Sequence, residues 1–217
     1  MSNSQPNLIT LSDPRAPAAE AYRTLRTNLV FSSLDKPLRA LVVTSPGPDE
    51  GKSVAAANLA VTLAQSGRRV LLVDGDLRRP SQHELWGVPN ERGLTTMALD
   101  AGARSAPPAV ETPVAGLRLL PSGPLPPNPA DLLVSARMDE VVAALREQAD
   151  IVIFDAPPVL GVTDAALLGV KADGVLLIVR AGFTRRDSAA RAKEMLDRVG
   201  VRLVGAALLN APKTAGY

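Results

Sequence analysis

The stretch LRALVVTSPGPDEGKSVAAANLAVTLAQ, residues 38–65, decides the fold of this chain. Leu38 to Thr44 form a nearly continuous apolar run, the pattern of a strand buried on both faces rather than one. A Gly/Pro-rich break over 45–51 follows, and then an Ala/Leu-rich helix over 52–65 that stops at Ser66-Gly67. Strand, glycine-bearing loop and helix in that order make a cradle for phosphate. Small residues let backbone N–H groups face the anion, and the helix N-terminus adds its dipole. Lys52 offers an ammonium to the β and γ oxygens, and Ser53 offers a hydroxyl to Mg²⁺. The expected contacts to the nucleotide are Gly47, Asp49, Glu50, Gly51, Lys52, Ser53 and Val54. The strict G-x-x-x-x-G-K-[ST] pattern is not met, because Pro46 takes the place of its first glycine. A bare Gly-Lys-Ser arises readily by chance; the buried strand before it and the helix after it raise this one to an expected site for ATP with Mg²⁺.

Working outward, the apolar runs 70–74, 151–154, 175–179 and 203–209 predict further strands, and 117–120 a short one. Helices are expected over 17–32, 94–99, 129–148 with a break near Ser135, 163–168 and 186–199. The rest of 76–116 reads as irregular, with a Pro/Ala-rich connection at 101–113. Residues 1–16 read as a flexible arm, 17–210 as a single domain and 211–217 as a short tail. Strands alternating with helices predict an α/β fold, a P-loop NTPase whose mostly parallel sheet carries helices on both faces. Ligands in such sheets bind beyond the carboxyl ends of the strands, where 45–53, Asp74 and Asp155 all fall. The 70–74 strand is expected beside the loop strand.

Composition narrows the function. Of 217 residues 46% are hydrophobic and 21% charged, ordinary for a globular domain, so one sizeable core is available. There is no Cys and a single His, His83, which excludes a thiolate metal site, a His-based metal cluster and a His triad. The formal charge of +2 and an aromatic content of 3% give no nucleic-acid signal. With no apolar run long enough to span a bilayer and no secretory segment, the chain is expected in the cytoplasm, meeting a membrane only through a partner.

Asp74-Gly-Asp76 follows the second strand. Two carboxylates there could hold Mg²⁺ through water, with one accepting a hydroxyl proton, or they could cap the next turn. Asp155 ends IVIFD and has the place of the second acidic residue of a nucleotide site, binding Mg²⁺ directly or through water; a loop cap is the alternative. Arg78-Arg79 could neutralise phosphate charge or form a basic turn. Glu20, Arg23 and Arg26 drift around one side of the first helix, a spacing that a solvated face explains equally well.

LVDGDLRRP (72–80), after the loop 45–53 and before IVIFDAPP (151–158), resembles the second acidic motif of the bacterial tyrosine kinases of capsule and exopolysaccharide synthesis. EAYRTLRTN (20–28) is similar to that family's E-x-x-R-x-x-R helix, and LPSG (120–123), Pro127-Asn128-Pro129 and Leu132-Leu133 are similar to its middle section. The resemblance runs from about Ala16 to Asn210. It implies ATP-dependent phosphorylation of protein tyrosine by a P-loop fold. Lys52 would bind the β and γ phosphates, Ser53 the Mg²⁺, and Asp74 and Asp155 would hold the metal largely through water. Asp76 would accept the tyrosine proton, and Asn210 would sit near the adenine. The Glu20/Arg23/Arg26 helix would dock on a neighbouring subunit to build a ring, usually an octamer. The cytoplasmic tail of a membrane-spanning polysaccharide co-polymerase would activate the assembly at the inner face of the membrane, and the polar start of the chain suggests that this activator is a separate chain.

One departure stands out. The family ends in a tail with several tyrosines, whereas this chain closes on Ala211-Pro-Lys-Thr-Ala-Gly-Tyr217, and its other Tyr is Tyr22 in the helix motif. A trimmed tail, Tyr217 as a minimal acceptor, or a different mode of autophosphorylation would each account for it. Two other functions compete. Partitioning and division-site ATPases carry an additional Lys five residues before the invariant one, and Gly47 stands there. A catalytically weak ATP-binding regulator of polysaccharide export is the third reading, kept open by the scarcity of Tyr.

Overall fold

The computed structural model describes residues 6–211. Helices α1 (Ile9–Ser12) and α2 (Pro17–Phe31) precede strand β1 (Ala40–Thr44), and α3 (Lys52–Gln65) leads on to β2 (Val70–Asp74). Three short helices follow, α4 (Gln82–Trp86), α5 (Leu94–Leu99) and α6 (Ala101–Ser105), then strands β3 (Val110–Glu111) and β4 (Leu117–Leu120). The chain continues through α7 (Pro129–Val134), α8 (Ala136–Gln148), β5 (Ile151–Asp155), α9 (Asp164–Lys171), β6 (Gly174–Arg180), α10 (Arg186–Arg198) and β7 (Leu203–Leu209).

The seven strands form one sheet in the order β3-β4-β2-β5-β1-β6-β7, parallel throughout except for the edge pair β3–β4. Alternate residues of each central strand enter two separate cores. Leu41, Val43, Leu72 and Ile153 pack with Leu29 of α2 and Leu59 and Leu63 of α3 on one face. Val42, Val73, Val152 and Phe154 pack with Met138 and Leu145 of α8 and Leu168 of α9 on the other. Both faces are covered, which is why these strands read as unbroken apolar runs instead of alternating ones.

The expected helices and strands are present, and the break near Ser135 is real: the Ser135 hydroxyl accepts the Met138 N–H and starts α8. Three expectations need correction. First, β2 does not lie beside β1; β5 sits between them and pairs with both. Strand order depends on where each crossover returns, which local patterning does not encode.

Second, the chain before Pro17 is not a loose arm over residues 6–16. It forms α1, with Leu8 fully buried. The backbone N–H and hydroxyl of Thr10 donate to Asn58 Oδ1 of α3 at 3.1 and 2.8 Å. One turn of helix has no detectable period, and this one exists because α3 supplies its partners. Third, the irregular region 76–116 contains α4, α6 and β3. Each is short and held from outside or by a cap; Asp100, for example, caps α6 by accepting the Gly102 N–H at 2.8 Å.

Candidate active site

The order β2-β5-β1 brings three carboxyl ends side by side. β1 delivers the phosphate loop, β2 delivers Asp74, and β5 between them delivers Asp155, with Asp74 and Asp155 in register. The loop is shaped by two left-handed residues, Asp49 at φ 60° and Gly51 at φ 83°. Gly51 is needed on two counts, because a Cβ there would also meet Leu209 Cδ1 at 3.2 Å. Inside the loop the Ser45 hydroxyl donates to the Gly47 carbonyl at 2.6 Å, and the Gly47 N–H donates to Glu50 Oε1 at 2.8 Å. Helix α3 begins directly after Gly51, with its free N–H groups and positive dipole end toward the loop.

Lys52 joins the acidic residues. Its ammonium lies 3.1 Å from Asp76 Oδ2, 3.2 Å from Asp155 Oδ1 and 3.2 Å from Ser53 Oγ. Burial alone would lower its pKa; Asp155 and Asp76 more than reverse this, and the group is held as the cation. Asp76 also accepts the backbone N–H groups of Arg78 and Arg79 at 3.3 and 3.0 Å, so its loop is folded around its carboxylate.

Asp74 is fully buried. Its oxygens accept the N–H groups of Ser81 and Gln82 at 3.0 and 2.8 Å and that of Asp76 at 3.3 Å, which anchors the start of α4. Burial, and then the Asp155 charge, push its carboxyl up to about 8 against the lowering effect of the Gln82 N–H. Burial thus favours the protonated form of Asp74 over the ionised one more than in an ordinary carboxylate.

A residue that patterning missed completes the site. Gln82 is fully buried, and its amide Nε2 donates to Asp155 Oδ2 at 2.9 Å and to the Ser53 carbonyl at 3.0 Å. Its Oε1 accepts the indole N–H of Trp86 at 3.2 Å. Gln82 thus ties the β5 carboxylate to the first turn of α3. The signal was a polar residue just after an acidic motif, with nothing to distinguish it from a surface glutamine.

Arg78 is committed elsewhere. Its guanidinium forks onto Asp164, a fully buried carboxylate at the start of α9, at 2.8 and 3.0 Å. This pins the loop after β2 against the opposite core.

The oxygen set suits a hard divalent cation. Among the described residues no three His, Asp or Glu side chains form a closed metal cage. Ser53 Oγ and the carboxylates around Lys52 fit Mg²⁺, which keeps waters and takes only one or two protein oxygens together with phosphate oxygens.

The CobQ/CobB/MinD/ParA nucleotide binding domain matches residues 41–210. Over 217 residues the chain is 44% identical to the tyrosine-protein kinase YwqD of Bacillus subtilis, covering 100% of this chain and 90% of that one. The chain belongs to the bacterial tyrosine-protein kinase family. Solved structures agree. The chimerical protein CapA2B2 superposes with a TM-score of 0.88 at 36% identity, over 95% of this chain and 90% of that one. The kinase domain of the Escherichia coli tyrosine kinase ETK superposes at 0.85 with 32% identity, over 96% and 83%. Partitioning-type ATPases share the nucleotide-binding domain, but YwqD, which matches over the full chain, is named a tyrosine-protein kinase, and Gly47 stands where those ATPases carry their additional lysine.

Within this bacterial tyrosine kinase the remaining candidate residues fall as follows. Val54 is exposed at the loop-facing start of α3. Asn210, at φ 53°, follows Leu209, whose side chain reaches Gly51, so it lies at the loop's flank. Glu20, Arg23 and Arg26 lie on α2 away from the carboxylates. Arg23 bonds Glu20 and the Pro14 carbonyl, each at 2.7 Å, and Arg26 donates to the Thr62 carbonyl of α3 at 2.9 Å. Tyr22 packs against the α3-side core, and burial pushes its phenol up to about 12. Tyr217 lies outside the described residues.

Proposed function

We propose that this protein is an ATP- and Mg²⁺-dependent protein-tyrosine kinase that regulates capsule or exopolysaccharide synthesis. The observation that carries the proposal is the Lys52 ammonium held between Asp76 and Asp155, beside Ser53 and at the head of α3. Phosphoryl transfer asks little covalent chemistry of a protein and much positioning and charge neutralisation. The 49–53 backbone and the dipole of α3 receive the β and γ phosphates, with Gly47 shaping the loop beside them. Lys52 then turns from the two aspartates to the phosphate oxygens, which releases both carboxylates for their roles. Ser53 and Asp155 would hold Mg²⁺, with Asp74 behind them, and the ion when bound neutralises the charge developing on the transferred phosphoryl group. Asp76, freed of Lys52, is placed to take the tyrosine proton. Gln82 keeps Asp155 pointed at the metal position, and Asn210 flanks the adenine.

The acceptor is a tyrosine other than Tyr22, whose half-buried phenol packs against the core and has its pKa raised. Tyr217 and tyrosines of partner proteins are the candidates. Among the described residues no helix is long and apolar enough to cross a membrane. We place the chain at the inner membrane face through a membrane-spanning activator, in a ring of copies joined through Glu20, Arg23 and Arg26. A single-species monomer mass in light scattering at high concentration, unchanged by Arg23→Ala with Arg26→Ala, would refute the ring.

The deciding experiment for the chemistry incubates the protein with Mg-ATP and a tyrosine-containing peptide and maps phosphosites by mass spectrometry. Phosphotyrosine is expected, and its loss in Lys52→Met. ATP hydrolysis without phosphotyrosine, or no turnover at all, would favour the ATP-binding regulator.

A further inference from the structure

The phosphate loop is braced from outside by the turn that follows β6, and no part of the chemistry above uses that turn. Glu50 is a loop residue only 3% exposed, and burying a polar side chain is costly unless its oxygens are hydrogen-bonded. Both its oxygens are engaged. Oε1 accepts the Gly47 N–H, and Oε2 accepts the hydroxyl of Thr184. The same hydroxyl accepts the Arg180 N–H at 2.7 Å, and the Thr184 N–H returns to the Arg180 carbonyl at 2.8 Å, so its direction is fixed by the turn.

Arg180 adds a second grip. Its guanidinium donates to the carbonyl of Asp49 at 3.2 Å while stacking 5.0 Å over the Phe183 ring. Asp49 is the residue held at φ 60°, a conformation that a non-glycine residue keeps only when its surroundings over-determine it. Glu50 is also a poor phosphate ligand, since its charge has the wrong sign.

We propose that Thr184 is a positioning residue of the nucleotide site: its hydroxyl holds the Glu50 carboxylate, which holds the Gly47 amide, and so presets the loop to receive phosphate. Thr184 touches neither phosphate nor acceptor in this scheme. Preorganisation of this kind lowers the ordering cost of binding and acts alike on ground and transition states, so it moves KM rather than kcat. The inference rests on the nucleotide site proposed above.

The test is a fluorescence titration of the full chain with N-methylanthraniloyl-ADP and Mg²⁺, with kcat and KM for ATP measured in parallel. Thr184→Val keeps the branched shape and removes the donor, Thr184→Ala removes it without a methyl against the carboxylate, and Thr184→Ser restores it. The Kd and KM are expected to rise about tenfold in Val and Ala, the size of one hydrogen bond to a charged group, with kcat within about twofold and the Ser variant near the parent. Unchanged affinity in Val and Ala would overturn the proposal. So would a Ser variant as weak as Val, or a fall in kcat at constant KM. Should the parent itself fail to bind, the nucleotide reading fails and the brace with it; a parent that binds beside unaltered Val and Ala variants removes the brace alone.

Discussion

Replacing Lys52 by Met is expected to destabilise the nucleotide-free protein, in a way that depends strongly on pH. The ammonium lies 3.1 Å from Asp76 and 3.2 Å from Asp155, whose side chains are 5% and 0% exposed. Removing it leaves two buried carboxylates without their counter-charge, and breaking such a pair costs about 3–5 kcal/mol. The carboxylates have one escape, which is to bind a proton. Measured against the unfolded chain, where a free carboxylate titrates at about 4, protonation costs about 1.4 kcal/mol per pH unit, roughly 5.6 kcal/mol at pH 8 but only about 1.5 at pH 5. Protonation therefore brings no relief at pH 8 and substantial relief at pH 5.

The Lys52 contribution in the parent does not change over this window, and the drift that Asp74 brings is common to parent and variant. The pKa of Lys52 is raised in the folded state, so its contribution is complete below 10.5 and is lost only as pH rises through the higher folded value. At roughly 2–4 °C per kcal/mol for a domain of this size, the melting temperature should fall about 6–20 °C at pH 8 and about 3–6 °C at pH 5. Scanning calorimetry without nucleotide or magnesium measures both. An equal fall at the two pH values, or none at pH 8, would refute the pairing as the source of stability. It would also mean that loss of activity in Lys52→Met reports phosphate binding alone.

Asp74 should behave in the opposite sense. Its carboxyl is pushed up to about 8 by burial, so its contribution to stability is complete below the ordinary pKa of 3.8 and is lost as pH rises through 8. Asp74→Asn cannot ionise, and in nucleotide-free melts its stability relative to the parent should improve steadily from pH 5 to pH 8.5; a flat difference would contradict the buried-acid reading. Gln82→Leu removes the donor to Asp155 and the acceptor of the Trp86 indole N–H, at a cost of about 1–3 kcal/mol for each buried group left without a partner. Trp86 is the only tryptophan, so its emission should shift when the parent binds Mg-ADP. The shift should be lost and the magnesium requirement raised in Gln82→Leu, and an unaltered magnesium titration would separate Gln82 from the metal position.

Several elements were legible in residues taken alone because a local cause produces them. Lys52–Gln65, Val70–Asp74 and Leu203–Leu209 have the bounds that their apolar runs and Gly stops predict. A strand covered on both faces must be apolar at every position, and a loop that binds phosphate through its backbone needs Gly51 wherever it occurs. The tyrosine-kinase resemblance was equally local, carried by 72–80 and 20–28.

Other features depended on contacts between distant segments. Helix α1 is one turn long and held by Asn58, 48 residues away, and α4 starts on the oxygens of Asp74. Gln82 acquires a role only because β5 inserts between β1 and β2 and sets Asp155 beside it. Arg78 looked equally ready for phosphate until Asp164, 86 residues on, claimed it. The residues by themselves determined the strands, the phosphate loop and the acids that end the strands, because hydrophobic period and glycine geometry act over a few residues. Only the tertiary structure decided the strand order, the Lys52–Asp76–Asp155 pairing and the Thr184–Glu50 brace, because a buried charge or amide is satisfied by whatever the packed chain brings to it.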